Sequence, residues 1–227
     1  MQNQQFASSA ALRDTMVERQ IRTFDVSDMG VQERMREVPR EIFVDPAQVS
    51  LAYSDACLPL AGNPPREMTA PLILARLLKE TRLREGERVL VVAGATGYAA
   101  ALVAGLVESV VSLDDDESFS ARAKANFETL GLANAKAHNG PLASGGPGYG
   151  PFDAIIVDGV SQGDFGALFG QVAENGRLVA IVSERPGERI GKATLYKRSG
   201  DQFSPRILFD GAAGALAAFS RPPEFIF

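Results

Sequence analysis

The chain has 227 residues, 45% of them hydrophobic, which is enough for one continuous α/β core. Lys and Arg number 23 against 28 Asp and Glu, a formal net charge of −5 with no basic block or stripe, and this balance argues against nucleic acid as the main partner. The single cysteine, Cys57, cannot close an internal disulfide, and with one histidine, His138, it cannot make a zinc site, so the composition predicts a cytoplasmic protein without structural metal.

The opening stretch MQNQQFASSAALRDTMVERQIR has no apolar core of an export signal, and AAALVAGL is too short to cross a bilayer, so no membrane role is expected. Leu12, Met16 and Ile21, then Val31, Met35 and Val38, recur at helical spacing until Pro39, which predicts helices and no strand in this first part. Thr69, Ala70 and Pro71 read as a helix start, with the helix running through LILARLLKETRL. From Arg88 short apolar runs alternate with helical segments: RVLVVA, a helix from about Gly97, SVVSLD, and a helix through Ala121, Phe127 and Leu130. SGGPGYGP, from Ser144 to Pro151, reads as a flexible loop. DAIIVDG and GRLVAIVS follow, separated by a helix across Phe165 to Ala173. The tail segments ATLYKRS, QFSPRILFD and GALAAFS read as antiparallel strands closing one edge. The expected fold is α/β, a doubly wound and mostly parallel sheet with helices on both faces. Residues 1–227 then form a single domain, with a helical N-terminal region over 1–85 packed on a core over 86–227. No oligomeric state is specified, and a monomer is favoured.

In an open parallel sheet ligands bind beyond the carboxyl ends of the strands, so the turn after RVLVVA, Ala93 to Tyr98, is the first candidate site. Asp114, followed by Asp115 and Asp116, ends the next strand, where an acid can accept both ribose hydroxyls of a nucleoside. The alternatives are a tight βα turn without a ligand and a solvated helix start at the acidic triplet. Asp158, at the end of IIVD, points toward the same mouth or caps the next segment. Cys57 reads as a small buried hydrophobe and His138 as a solvent-facing histidine near a strand end.

MVERQI (Met16 to Ile21), VPREIFVD, AYSDACLPL and PFDAIIVDG together resemble the protein-L-isoaspartate O-methyltransferase family from about Met16 to Ser183. The resemblance implies a class I methyltransferase sheet, S-adenosyl-L-methionine as cofactor, and methyl transfer to isoaspartyl carboxylates of damaged proteins or peptides. It implies that Asp114, with Asp115 beside it, holds the cofactor ribose, that Ala93, Gly94, Ala95, Gly97 and Tyr98 form the cofactor loop, and that Asn139 and Gly140 lie on the adenine side. Thr69 falls where the family has a hydroxyl residue near the methyl acceptor, with a plain helix cap as its alternative role. An ionised acceptor and an activated sulfonium need alignment more than acid or base catalysis, which suits a chain with one histidine.

The chain departs from the family pattern in places. Val91 stands where the family has an acid, Ala93 and Ala95 stand at glycine positions, and Arg66 and Glu67 replace a glutamine–threonine pair. A homologue that has lost cofactor affinity and serves as a binding module is therefore the alternative. GATGYAA also resembles the dinucleotide loop of short-chain dehydrogenases. Against that reading, the first strand begins only at Arg88, Ala100 takes the third glycine position, and no Tyr has a Lys four residues on.

Overall fold

The N-terminal spacing folds as helices: α1 (Gln2–Met16) runs into an irregular turn that buries Val17 and Ile21, and α2 (Met29–Glu37) follows. Asp28 caps α2 by accepting the Val31 amide at 3.0 Å, and the backbone leaves the helical region at Val38, ahead of Pro39. The computed structural model describes residues 2–220, with side-chain surroundings from Ser9 onward.

This region, expected to hold no strand, contains two. Leu58–Leu60 (β1) and Arg66–Met68 (β2) form a small antiparallel hairpin, with Leu58 opposite Met68 and Leu60 opposite Arg66. In each strand the outer two side chains are buried and the middle one faces outward, the period of two that a strand requires. Three-residue runs are too short to register against helical periodicity, which is why the sequence reads as helix or loop here. α3 (Pro71–Thr81) follows, with Pro71 in its first turn.

β3 (Arg88–Val92) is an interior strand of a seven-stranded sheet. Its Val89 and Val91 enter one hydrophobic cluster and Leu90 and Val92 another, so it is covered on both faces. β3 leads through α4 (Tyr98–Ala104) to β4 (Ser109–Asp114), and β4 through α5 (Glu117–Thr129) to β5 (Ala135–Asn139). The chain then returns to pair β6 (Phe152–Ser161) with the other side of β3, and the short α6 (Gly166–Phe169) leads to β7 (Val172–Val182). All of these pairings are parallel. β8 (Ile190–Ser199) and β9 (Gln202–Ala212) then pair antiparallel, giving the order β5-β4-β3-β6-β7-β8-β9. The first cluster joins Val17, Ile21 and Met35 of the N-terminal region to Leu74, Leu102, Phe127 and the sheet, so both parts share one core.

Three expected elements differ. The helix foreseen over Phe165 to Ala173 shrinks to the four residues of α6, because Gly166 and Gly170 bracket it and Val172 already belongs to the sheet. GALAAFS is not a strand. It makes one parallel bridge, Ala215 to Val160, and then a 3-10 turn over Ala217–Phe219. The glycine-rich loop is pinned: Gln171 accepts from the Gly146 amide at 2.9 Å and donates to the Ser144 carbonyl at 2.7 Å.

Candidate cofactor and acceptor site

The carboxyl ends of β3, β4 and β6 meet where the strand order reverses, the place an open parallel sheet offers a ligand. The β3–α4 turn takes the left-handed backbone three times, at Ala93 (φ 59°), Ala95 (φ 44°) and Gly97 (φ 95°). Gly97 is required twice over, since a Cβ there would also lie 2.8 Å from the Phe127 ring. The two alanines adopt a conformation that costs a side-chain-bearing residue about 1–2 kcal/mol. Tertiary bonds hold the turn: the Gly94 amide donates to the Leu113 carbonyl at 3.0 Å, Thr96 Oγ1 to the Phe43 carbonyl at 2.7 Å, and Asn126 Nδ2 to the Thr96 carbonyl at 2.9 Å. All residues from Ala93 to Tyr98 are buried. Tyr98, expected at the cofactor, is a core residue instead, its ring 5.3 Å from Phe43 and capped by the Arg40 guanidinium 4.7 Å away.

The acidic triplet divides its work. Asp114 ends β4 at 1% exposure; its Oδ2 accepts the Ala95 amide at 3.0 Å and its Oδ1 the Asp116 amide at 3.1 Å. Arg66 Nε lies 3.5 Å from the same Oδ2, and Arg66 Nη2 pairs with Asp115. Burial pushes the Asp114 carboxyl above the usual carboxylate range, opposed chiefly by Arg66. Asp116 caps α5, accepting the Ser118 amide at 2.7 Å, so the helix-start alternative holds for that residue, and its other oxygen takes the Asn63 amide. Asn139 Nδ2 and the Gly140 amide both donate to the Asp114 carbonyl, at 3.2 and 3.0 Å, and so fix the strand end. The β1–β2 turn thus lies against the triplet, with Gly62 so close to Phe119 that a Cβ would meet the ring at 2.3 Å.

On the β6 side Thr69 is fully buried and is not the cap of α3. That position is Ala70, which makes no side-chain bond. Thr69 Oγ1 donates to Asp158 Oδ1 at 2.6 Å, while the Thr69 carbonyl accepts from Arg40 Nη2 at 2.9 Å. Asp158 is half-buried where β6 slips register, and desolvation pushes its carboxyl up to about 6 against the opposing pull of the Thr69 bond and of Arg40. A cavity of about 190 Å³ adjoins it, lined by Pro59, Pro65, Arg66, Glu67, Asp158 and Leu216. Glu67 turns outward to pair with Arg189.

His138 lies within β5, half-buried with its ring 5.0 Å from Tyr149, and is not a solvent-facing loop residue. Cys57 is half-buried rather than buried, and desolvation raises its thiol pKa, which keeps it protonated. Arg40 has no role that the sequence suggests; it is wholly buried within VPREIFV, and its Nε also donates to the Ala52 carbonyl at 2.8 Å. Arg66, expected with Glu67 to reshape the acceptor pocket or to form an exposed salt bridge, instead reaches the β4 carboxylates as a mostly buried side chain. The only sequence signal for Arg40 is a charge set in an apolar run.

The strand order, the reversal at β3 and the acid closing β4 place the molecule in the class I methyltransferase fold, a class shared with a solved protein-L-isoaspartate O-methyltransferase at TM-score 0.80 and 25% identity over 90% of this chain and 65% of that one. The profile of the protein-L-isoaspartate(D-aspartate) O-methyltransferase family matches residues 11–207, and the chain belongs to that family. Protein-L-isoaspartate O-methyltransferases of Burkholderia pseudomallei and Burkholderia thailandensis are each 36% identical to it over 192 residues, 84% of this chain. The chain spans 58% and 57% of the length of those two relatives. A Plasmodium falciparum protein described as a protein-L-isoaspartate O-methyltransferase, solved with S-adenosyl-L-homocysteine, shares the fold at TM-score 0.72 and 20% identity, over 92% of this chain and 97% of that one. Among the described residues, no helix is long and apolar enough to cross a membrane.

Proposed function

We propose that the chain is an S-adenosyl-L-methionine-dependent carboxyl methyltransferase whose acceptor is an isoaspartyl carboxylate in a protein or peptide. The observation that carries this is the family match over residues 11–207, joined to a mouth with a carboxylate at the end of β4 and a hydroxyl–carboxyl pair at β6. The donor set fits an adenosyl group in kind: Asp114 ends β4 with its carboxylate turned toward N–H donors, and the loop keeps the left-handed backbone at Ala93, Ala95 and Gly97 despite two methyl groups. Asp114 and Asp115 would hold the ribose, Gly94 and Ala95 would lie along the sugar and methionyl part, and Asn139 and Gly140 would border the adenine. Bound there, the cofactor supplies a methyl group already activated on a sulfonium.

This chain's own residues then have to present the acceptor. Arg40 fixes the Thr69 carbonyl, which aims the Thr69 hydroxyl, and the cavity beside Asp158 receives the acceptor side chain. While Asp158 is ionised it accepts the hydrogen bond of the Thr69 hydroxyl and repels a second carboxylate. Protonated, near pH 6 and below, it becomes a donor itself. Transfer to an isoaspartyl carboxylate is therefore expected to favour slightly acidic pH. We take residues 1–227 as one domain on the strength of the shared core, acting in the cytoplasm as a monomer, with neither nucleic acid nor membrane as a partner.

The closure of the β4 mouth by Arg66 favours a second function, a family member that keeps the fold as a binding module without cofactor. Calorimetry with S-adenosyl-L-methionine and S-adenosyl-L-homocysteine, with NAD(H) and NADP(H) as controls, decides between them, followed by transfer of labelled methyl to an isoaspartyl peptide. Micromolar binding and labelled product support the enzyme. Absence of both at millimolar ligand ends that proposal and leaves the module.

A further inference from the structure

We infer that Arg66 is the specificity-determining residue of the β4 mouth: its guanidinium occupies the carboxylates a ribose would use, and an adenosyl ligand binds only when Arg66 leaves them. This rests on the methyltransferase function proposed above. A guanidinium offers adjacent, roughly parallel N–H donors, much as a ribose offers two adjacent hydroxyls, so both address the same paired oxygens. Arg66 spans Asp114 and Asp115 in this way and is itself 8% exposed. Asp114 also accepts the Ala95 and Asp116 amides, so two of its roughly four acceptor positions are filled before any ligand arrives and the Arg66 guanidinium stands over the oxygen that takes the Ala95 amide.

The surrounding chain holds Arg66 in place. β2 is paired to β1, the Asn63 amide is bound to Asp116, and Gly62 is pressed on Phe119, so the turn carrying Arg66 is tied to the acids it covers. Arg66 borders the cavity of about 190 Å³, so one side of its side chain is free of protein packing and it can turn off the carboxylates without displacing a neighbour. A mouth open only part of the time weakens the apparent affinity by the open fraction, so a side chain in place 90–99% of the time costs roughly 10- to 100-fold.

The test is calorimetry with S-adenosyl-L-homocysteine on the wild type, Arg66→Gln and Arg66→Lys. The expected result is binding at least ~10-fold tighter for Arg66→Gln, with Arg66→Lys between the two because an ammonium cannot span both carboxylates in the same way. Equal affinity in all three proteins overturns the role of Arg66 and leaves the methyltransferase proposal standing. Failure of all three to bind at millimolar ligand overturns that proposal, and this inference with it. Should Arg66→Gln not fold, NMR of the wild-type Arg66 side chain still decides: saturating ligand is expected to move its Nε–H out of the ion pair, and binding with that signal unchanged sinks the inference.

Discussion

Two aspartates at the same mouth are treated in opposite ways. Asp114, at the end of β4, is sealed by two backbone amides and a guanidinium and has 1% of its surface exposed. Asp158, on β6, has one hydroxyl at hydrogen-bond distance and a cavity beside it. Burial raises both carboxyls, but Arg66 sits on Asp114, while the opposing charge at Asp158 comes from Arg40, whose own hydrogen bonds go to the Ala52 and Thr69 carbonyls. Asp114 is thus completed from within the chain, whereas Asp158 is left to be completed by a proton or by a molecule from outside.

The largest expected effect breaks the sealed half. Arg66→Ala leaves the buried Asp114 carboxyl without its cation, and breaking a buried pair by removing one partner costs about 3–5 kcal/mol. Denaturant unfolding should register that loss, and a change below about 1 kcal/mol would mean the pair behaves like a surface contact. The next effect has the opposite sign. Asp158 has a folded pKa of about 6 against a reference of 3.8, so between those values the folded state holds more protons than the unfolded one, and stability falls as pH rises through that window. A shift of about two units corresponds to about 3 kcal/mol. Asp158→Asn keeps an acceptor for the Thr69 hydroxyl but removes the charge. The variant should therefore match the wild type below about pH 4 and exceed it by up to about 3 kcal/mol above about pH 6. Thermal melts across pH 4–8 check this, and a gap that does not change with pH would place Asp158 in a solvated site. The same variant should lower KM for an isoaspartyl peptide at neutral pH, because the acceptor carboxylate no longer meets a like charge.

The strand pattern from Arg88 onward was legible because runs such as RVLVV and AIIV bury alternate side chains on two faces, and no other element does that in so few residues. Asp114 could be placed at its strand end by the same periodicity. The β1–β2 hairpin was not legible, since three residues per strand carry too little pattern. The destinations of Arg66 and Thr69 were not either, since each depends on a partner 49 or 89 residues away. A charge replacing a neutral residue in a recognisable segment signals that something changed. Only the fold shows that the new guanidinium reaches across to β4 rather than into solvent or toward the acceptor.

The smallest expected effect sharpens the comparison at the loop itself. Ala93 and Ala95 hold φ of 59° and 44°, a region that costs an alanine about 1–2 kcal/mol and glycine almost nothing. Glycine gives back about 0.4–1 kcal/mol of that gain through the greater freedom of the unfolded chain. Ala95→Gly should therefore be stabilising by about 0.5–1 kcal/mol, a rise of roughly 1–4 °C in Tm for a chain of this size. Alone it should add little affinity for S-adenosyl-L-homocysteine, because Arg66 still occupies Asp114. Combined with Arg66→Gln it should tighten binding beyond either change, since the Ala95 amide and the guanidinium address the same carboxylate oxygen. Strict additivity of the two in a double-mutant cycle would show that loop and guanidinium act on separate parts of the ligand.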